Sequence, residues 1–164
     1  MTRGEFLAHF GSVFEKRPDL AASAWDYGLV DISSGAVGLH RAFTAVLRRL
    51  SPDALLTFLN GHPDLAGQTA RPVDLTPDSL REQGSAGLDG LDAAGNAKLL
   101  DMNRAYWARF AFPFIMAVKD RTPAEILAAL EARLHNSEAE ERSQALREVE
   151  RILLLRLKGR LGES

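Results

Sequence analysis

From Ser137 to Gly159 the chain reads SEAEERSQALREVERILLLRLKG. Ser137 with Glu140 three residues later is a capping box, which satisfies two of the amide groups a helix start leaves open. Beyond it Leu146, Val149, Leu153 and Arg156 recur at threes and fours, the spacing that puts side chains on one face of a helix. No proline or turn pair interrupts the run, so it predicts a single helix from Ser137 to about Gly159.

The same period extends outward through most of the chain. Thr122-Pro123-Ala124-Glu125 combines a cap, a first-turn proline and a capping glutamate. Ala93 to Phe110 reads as a longer helix with Leu99, Asn103, Tyr106 and Phe110 on one stripe. Between these two, Phe112 to Val118 is a short apolar run around Pro113, open to a strand or to buried irregular chain. Thr76-Pro77 starts a helix through Gln83, ended by the glycines at 84, 87 and 90. Asn60 to Leu75, with two glycines and two prolines, is a loop. Further back, Ser51-Pro52 opens a helix with Leu55, Leu56 and Leu59 inside, and Leu39, Phe43, Val46, Leu47 and Leu50 mark another. Gly28 to Gly35 is a turn region. Pro18 fits the first turn of a helix containing Leu20, Ala24 and Trp25. Thr2 with Glu5 caps a first short helix over Phe6, Leu7 and Phe10. The expectation is one compact all-α domain of seven or eight helices spanning residues 1–164.

Composition narrows the chemistry. The chain has 164 residues, 46% hydrophobic and 26% charged, enough to build a core without staples. Cysteine is absent, which removes disulfides, thiolate metal sites and cysteine nucleophiles. A formal charge of −2 with no basic tract argues against nucleic acid or an anionic membrane as partner. The longest uncharged apolar stretch, Phe110 to Val118, is about half a membrane span. Met1-Thr2-Arg3-Gly4-Glu5-Phe6 has no apolar region behind its charges and does not read as a secretory signal. The expected location is cytoplasmic. His9, His40, His62 and His135 show no metal-ligand spacing, and the glycines match no dinucleotide or phosphate loop, so no cofactor is expected.

Three places break the local pattern. His62 precedes Pro63, which pushes its backbone toward extended geometry at a loop edge. It reads as a solvated loop histidine or as a placed group that titrates near neutral pH. Ser79, Glu82 and Gln83, at i, i+3 and i+4, share a helix face. By spacing alone that is a solvated face, though hydroxyl, carboxylate and amide also suit a polar heterocycle. Arg156 lies on the inward stripe of the final helix and needs a partner. A structural salt bridge is the commoner outcome, and a carboxylate ligand gripped by two parallel N–H bonds is the other. Asn103, also on an apolar stripe, reads as a structural hydrogen-bonding residue.

His62-Pro63-Asp64-Leu65-Ala66-Gly67, Ser79-Leu80-Arg81-Glu82-Gln83 and Ala86-Gly87-Leu88 form one group of motifs. Asn103-x-x-Tyr106, Arg109-Phe110-Ala111-Phe112-Pro113-Phe114-Ile115, Arg133-Leu134-x-Asn136 and Leu155-Arg156-Leu157 form another. In this order the chain resembles the 2-oxo-4-hydroxy-4-carboxy-5-ureidoimidazoline (OHCU) decarboxylase family of the urate pathway. The resemblance covers essentially the whole chain. It implies an all-α, cofactor-independent enzyme, often a homodimer, that converts OHCU to (S)-allantoin. It implies His62 and Glu82 as catalytic residues. Pro63, Ser79, Gln83, Ala111, Phe112, Pro113, Phe114, Ile115 and Arg156 would bind substrate, the aromatic block partly through backbone groups. Ala111 stands where the family usually has glycine, and is strained if that position needs a positive φ. The rival reading is a non-catalytic helical module with Arg156 in an internal salt bridge and a groove for a partner helix.

Overall fold

The computed structural model describes residues 1–65 and 75–164. Residues 66–74 of the expected Asn60–Leu75 loop, including Ala66 and Gly67 of the histidine motif, lie outside the described residues. Among those described there are eight α-helices and no strand. They are α1 (Arg3–Phe10), α2 (Pro18–Asp26), α3 (Gly35–Leu47), α4 (Pro52–Asn60), α5 (Pro77–Ser85), α6 (Ala93–Phe110), α7 (Pro123–Arg133) and α8 (Glu138–Leu161). Short 3₁₀ turns cover Gly11–Phe14, Ile32–Ser34 and Leu88–Gly90. The expected all-α class is the observed one.

The helix starts are where local chemistry puts them. Thr2 with Glu5, Thr122 with Glu125 and Ser137 with Glu140 form reciprocal capping boxes. Pro18, Pro52, Pro77 and Pro123 each open a helix, where a missing N–H costs nothing. Helix α5 runs two residues past its expected end. Gly84 is tolerated inside it, and the stop comes at Gly87, whose φ of 72° is left-handed. The Phe112–Val118 run, open from sequence, is neither helix nor strand.

The helices divide into two compact units. The first comprises Met1–Gly61 and Glu150–Ser164, so the last part of α8 belongs to it. Its core is aromatic: the Phe43 ring lies 4.7 Å from Phe14 and 6.2 Å from Phe6, and Phe6 lies 5.1 Å from Trp25. Phe43 is fully buried, so truncating it to alanine costs about 3–5 kcal/mol. Ile152, Leu153 and Leu157 of α8 are buried. His40 Nε2 lies 2.8 Å from the Glu150 carbonyl, and the Ala36 amide donates to the Glu163 side chain at 3.0 Å.

The second unit is His62–Val149. Leu99, Tyr106 and Phe110 of α6 are buried, as are Ile126 and Leu130 of α7 and Ala145 and Val149 of α8. On α8 the buried stripe passes through Ala145 rather than Leu146, which is half-buried. No helix among the described residues is long and apolar enough to cross a membrane.

Candidate active site

The second unit holds every candidate residue except Arg156. His62 is only 6% exposed, so it is not the solvated loop histidine that the sequence also allowed. Pro63 is half-buried, and Asp64 and Leu65 are buried. The carbonyls of these last two residues are held by different helices. Gln83 Nε2 of α5 donates to Asp64 O at 3.2 Å, and Asn103 Nδ2 of α6 donates to Leu65 O at 3.4 Å. Asn103 thus has the structural role expected of it. Its Oδ1 is buried with no hydrogen-bond partner among the described residues.

Helix α5 presents its polar set inward. Thr76 caps it by accepting from the Ser79 amide at 3.3 Å, which fixes the rotation of the first turn. Ser79 and Gln83 are buried one turn apart, Glu82 is half-buried between them, and Arg81 is exposed. Spacing alone favoured a solvated face, and the burial of Ser79 and Gln83 corrects that. Leu80, at 61% exposure, takes the outward position instead. The Gln83 bond to Asp64 brings this face to the histidine loop.

Helix α6 links that loop to the aromatic block. Asn103 reaches Leu65, and about one turn on Tyr106 packs against Phe110, Phe112 and Phe114 at 4.7, 5.8 and 5.4 Å between ring centres. Phe112, Pro113, Phe114 and Ile115 are buried. Ala111 ends α6 with φ 59° and ψ 25°, its amide donating to Trp107 O at 2.9 Å. It is exposed and left-handed, the geometry glycine adopts without strain.

A buried polar cluster lies behind the block. Glu141 is fully buried and accepts from Tyr106 Oη at 2.5 Å, Arg133 Nε at 2.6 Å and Asn136 Nδ2 at 2.9 Å. Arg133 Nη2 faces the same Glu141 oxygen as an ion-pair contact rather than a directed hydrogen bond. Burial, and then the bond to Glu141, push the Tyr106 phenol well above its ordinary range, so it stays a donor.

Arg156 belongs to the first unit and is 7% exposed. Its Nη1 donates to Val13 O at 3.1 Å and its Nη2 to Glu15 Oε1 at 2.5 Å. The need for a partner was readable, but Glu15 was not. This carboxylate is buried on a backbone with φ 57°, and no local period marks it. Glu141 was missed with less excuse. It precedes Ala145 and Val149 by four and eight residues, so it sits on a buried stripe of α8 as Arg156 does.

Comparison with known proteins identifies the family and the fold. A family model described as OHCU decarboxylase matches residues 1–158. The 2-oxo-4-hydroxy-4-carboxy-5-ureidoimidazoline decarboxylase of Bos taurus is 37% identical over 164 residues, covering 100% of this chain and 95% of that protein. A crystal structure of (S)-allantoin synthase matches with a TM-score of 0.77 at 24% identity, over 98% of this chain and 51% of that one. One of an OHCU decarboxylase in the presence of (S)-allantoin matches with a TM-score of 0.71 at 22% identity, over 97% and 98%. At those identities the two structures bear on the fold alone. With a family match across nearly all of its length and a relative more than a third identical from end to end, the chain belongs to the OHCU decarboxylase family.

Proposed function

We propose that this family member decarboxylates OHCU to (S)-allantoin in urate degradation, with His62 and Glu82 as its catalytic pair. Membership in a decarboxylase family favours the enzyme over the helical interaction module. The observation that carries the assignment of residues is the bond from Gln83 to the Asp64 carbonyl. It ties the Ser79–Gln83 face to the loop of His62 in a buried setting.

OHCU bears a hydroxyl and a carboxylate on one ring carbon, next to a ring C=N carbon that carries the ureido group. When the bond to CO₂ breaks, its electron pair forms a C=C bond and the C=N pair moves to nitrogen, which takes a proton. The hydroxyl then loses its proton as its carbon becomes a carbonyl, and the neighbouring carbon gains one from a single face. His62 takes the hydroxyl proton, a contribution typically worth about 10²–10⁴-fold for a placed base. Glu82 orients His62 or the substrate N–H groups. Ser79, Gln83 and the backbone of Ala111 to Ile115, with Pro63 beside His62, hold the ureido and carbonyl groups. For Arg156, whose Nη1 and Nη2 are held by Val13 O and Glu15, the proposed role is to bind an anionic part of the substrate.

The test follows freshly generated OHCU by absorbance and circular dichroism. The protein should yield optically active allantoin faster than spontaneous decay, and a folded His62→Ala variant should lose most of that acceleration. Racemic allantoin at the spontaneous rate with the unmodified protein refutes the function. Near-normal turnover by His62→Ala refutes the role of His62.

A further inference from the structure

Arg133-Leu134-x-Asn136 takes no part in the chemistry above, yet Arg133 and Asn136 both reach Glu141. We propose that Arg133, held by Glu141, is a positioning residue that fixes the Ala111–Ile115 backbone for substrate binding. This rests on reading that block as a ligand-binding segment.

Phe112 to Val118 lies in neither helix nor strand, so its backbone groups must find partners outside a regular ladder. Arg133 supplies one. Its Nη1 donates to Ile115 O at 2.7 Å, its Nε is held by Glu141 at 2.6 Å, and its Cζ lies 4.4 Å from the centre of the Phe114 ring. One planar group thus constrains a carbonyl, a carboxylate and an aromatic face. A second clamp lies two residues on, where Glu148 of α8 accepts the Ala117 amide at 2.9 Å.

The clamp is itself rigidly held. Glu141 has three donors on its two oxygens, from Tyr106, Arg133 and Asn136. Arg109 also donates to Asn136 O at 3.0 Å, tying the turn before α8 to α6. A buried ion pair is a poor stabiliser compared with apolar packing of the same volume. What this pair supplies that apolar packing cannot is direction, because a guanidinium with three partners admits one orientation. That direction sets the path of the chain from Phe112 to Ile115. Its effect on catalysis is therefore on substrate affinity, whereas proton transfer depends on His62 and Glu82.

Arg133→Lys keeps the positive charge beside Glu141 but cannot also reproduce the bond to Ile115 and the stacking on Phe114. KM for OHCU should rise about tenfold or more, and (S)-allantoin should bind more weakly by the same factor. The value of kcat and its pH profile should stay close to those of the unmodified enzyme. Should Arg133→Lys fail to fold, Asn136→Ala carries the test. It removes one donor from Glu141 and should raise KM about threefold with kcat unchanged. KM and allantoin affinity that stay at the unmodified values in a folded variant overturn the proposal, even if its Tm falls. An unmodified protein that leaves OHCU to decay spontaneously overturns the functional reading as well. An active one beside an Arg133→Lys enzyme with unchanged KM overturns the role of Arg133 alone.

Discussion

Replacing Ala111 with glycine should stabilise the protein. Ala111 has φ 59° and ψ 25°, a left-handed conformation in which Cβ crowds the following carbonyl. For an alanine this costs about 1–2 kcal/mol. The methyl group is exposed, so little packing is lost with it. The amide bond to Trp107 O at 2.9 Å involves only backbone and survives the change. Against the gain stands the greater freedom of glycine in the unfolded chain, which takes back about 0.4–1 kcal/mol. Mid-range values of both terms leave about 0.8 kcal/mol in favour of Ala111→Gly (limits about 0 and 1.6), equivalent to a rise in Tm of about 2–3 °C for a protein of this size. Scanning calorimetry at neutral pH measures it directly. A Tm that is unchanged or lower refutes the strain argument, and with it the view that this helix end is built for glycine.

Two further outcomes follow from particular contacts. In Arg156→Lys a single ammonium cannot hold both Val13 O and Glu15 as two guanidinium nitrogens do, so kcat/KM should fall about tenfold or more. Unchanged kinetics with a lower Tm would mark the arginine as structural only. In acid, Glu5, Glu125 and Glu140 should matter together. Backbone amides at Thr2, Thr122 and Ser137 hold their carboxyls below the usual glutamate range. Their contribution is complete above the unfolded pKa of about 4.3 and fades as pH falls through the lower native values. Tm should therefore drop as pH falls below about 4.3, less steeply in Glu125→Gln than in the unmodified chain. An identical pH dependence in the two proteins would contradict the assignment.

The helices were legible because the signals that start them are local. Thr122 and Glu125 satisfy each other within one turn, and the apolar period of α6 is the period of the helix itself. The capacity of Ser79 and Gln83 to act together was readable, but their burial was not. Spacing defines a face without saying what covers it, and here Gln83 meets a carbonyl nineteen residues earlier. The Phe112–Val118 path had no readable form for a related reason. Two of its backbone groups bond to Arg133 and Glu148, side chains on two other helices, and no periodicity encodes such pairings. Glu15 shows the same limit at greater range, meeting Arg156 across 141 positions of sequence. Family resemblance pointed to Arg156 without naming the carboxylate that holds it.

The division of α8 bears on how the protein emerges during synthesis. Residues 62–149 are contiguous, so the second unit needs no residue from outside that stretch to close. The first unit has to wait, because Ile152, Leu153 and Leu157 of its core are translated roughly ninety residues after Gly61. Until then Phe6, Phe14, Trp25 and Phe43 can pack on one another, but the share of the core that α8 fills stays open to water.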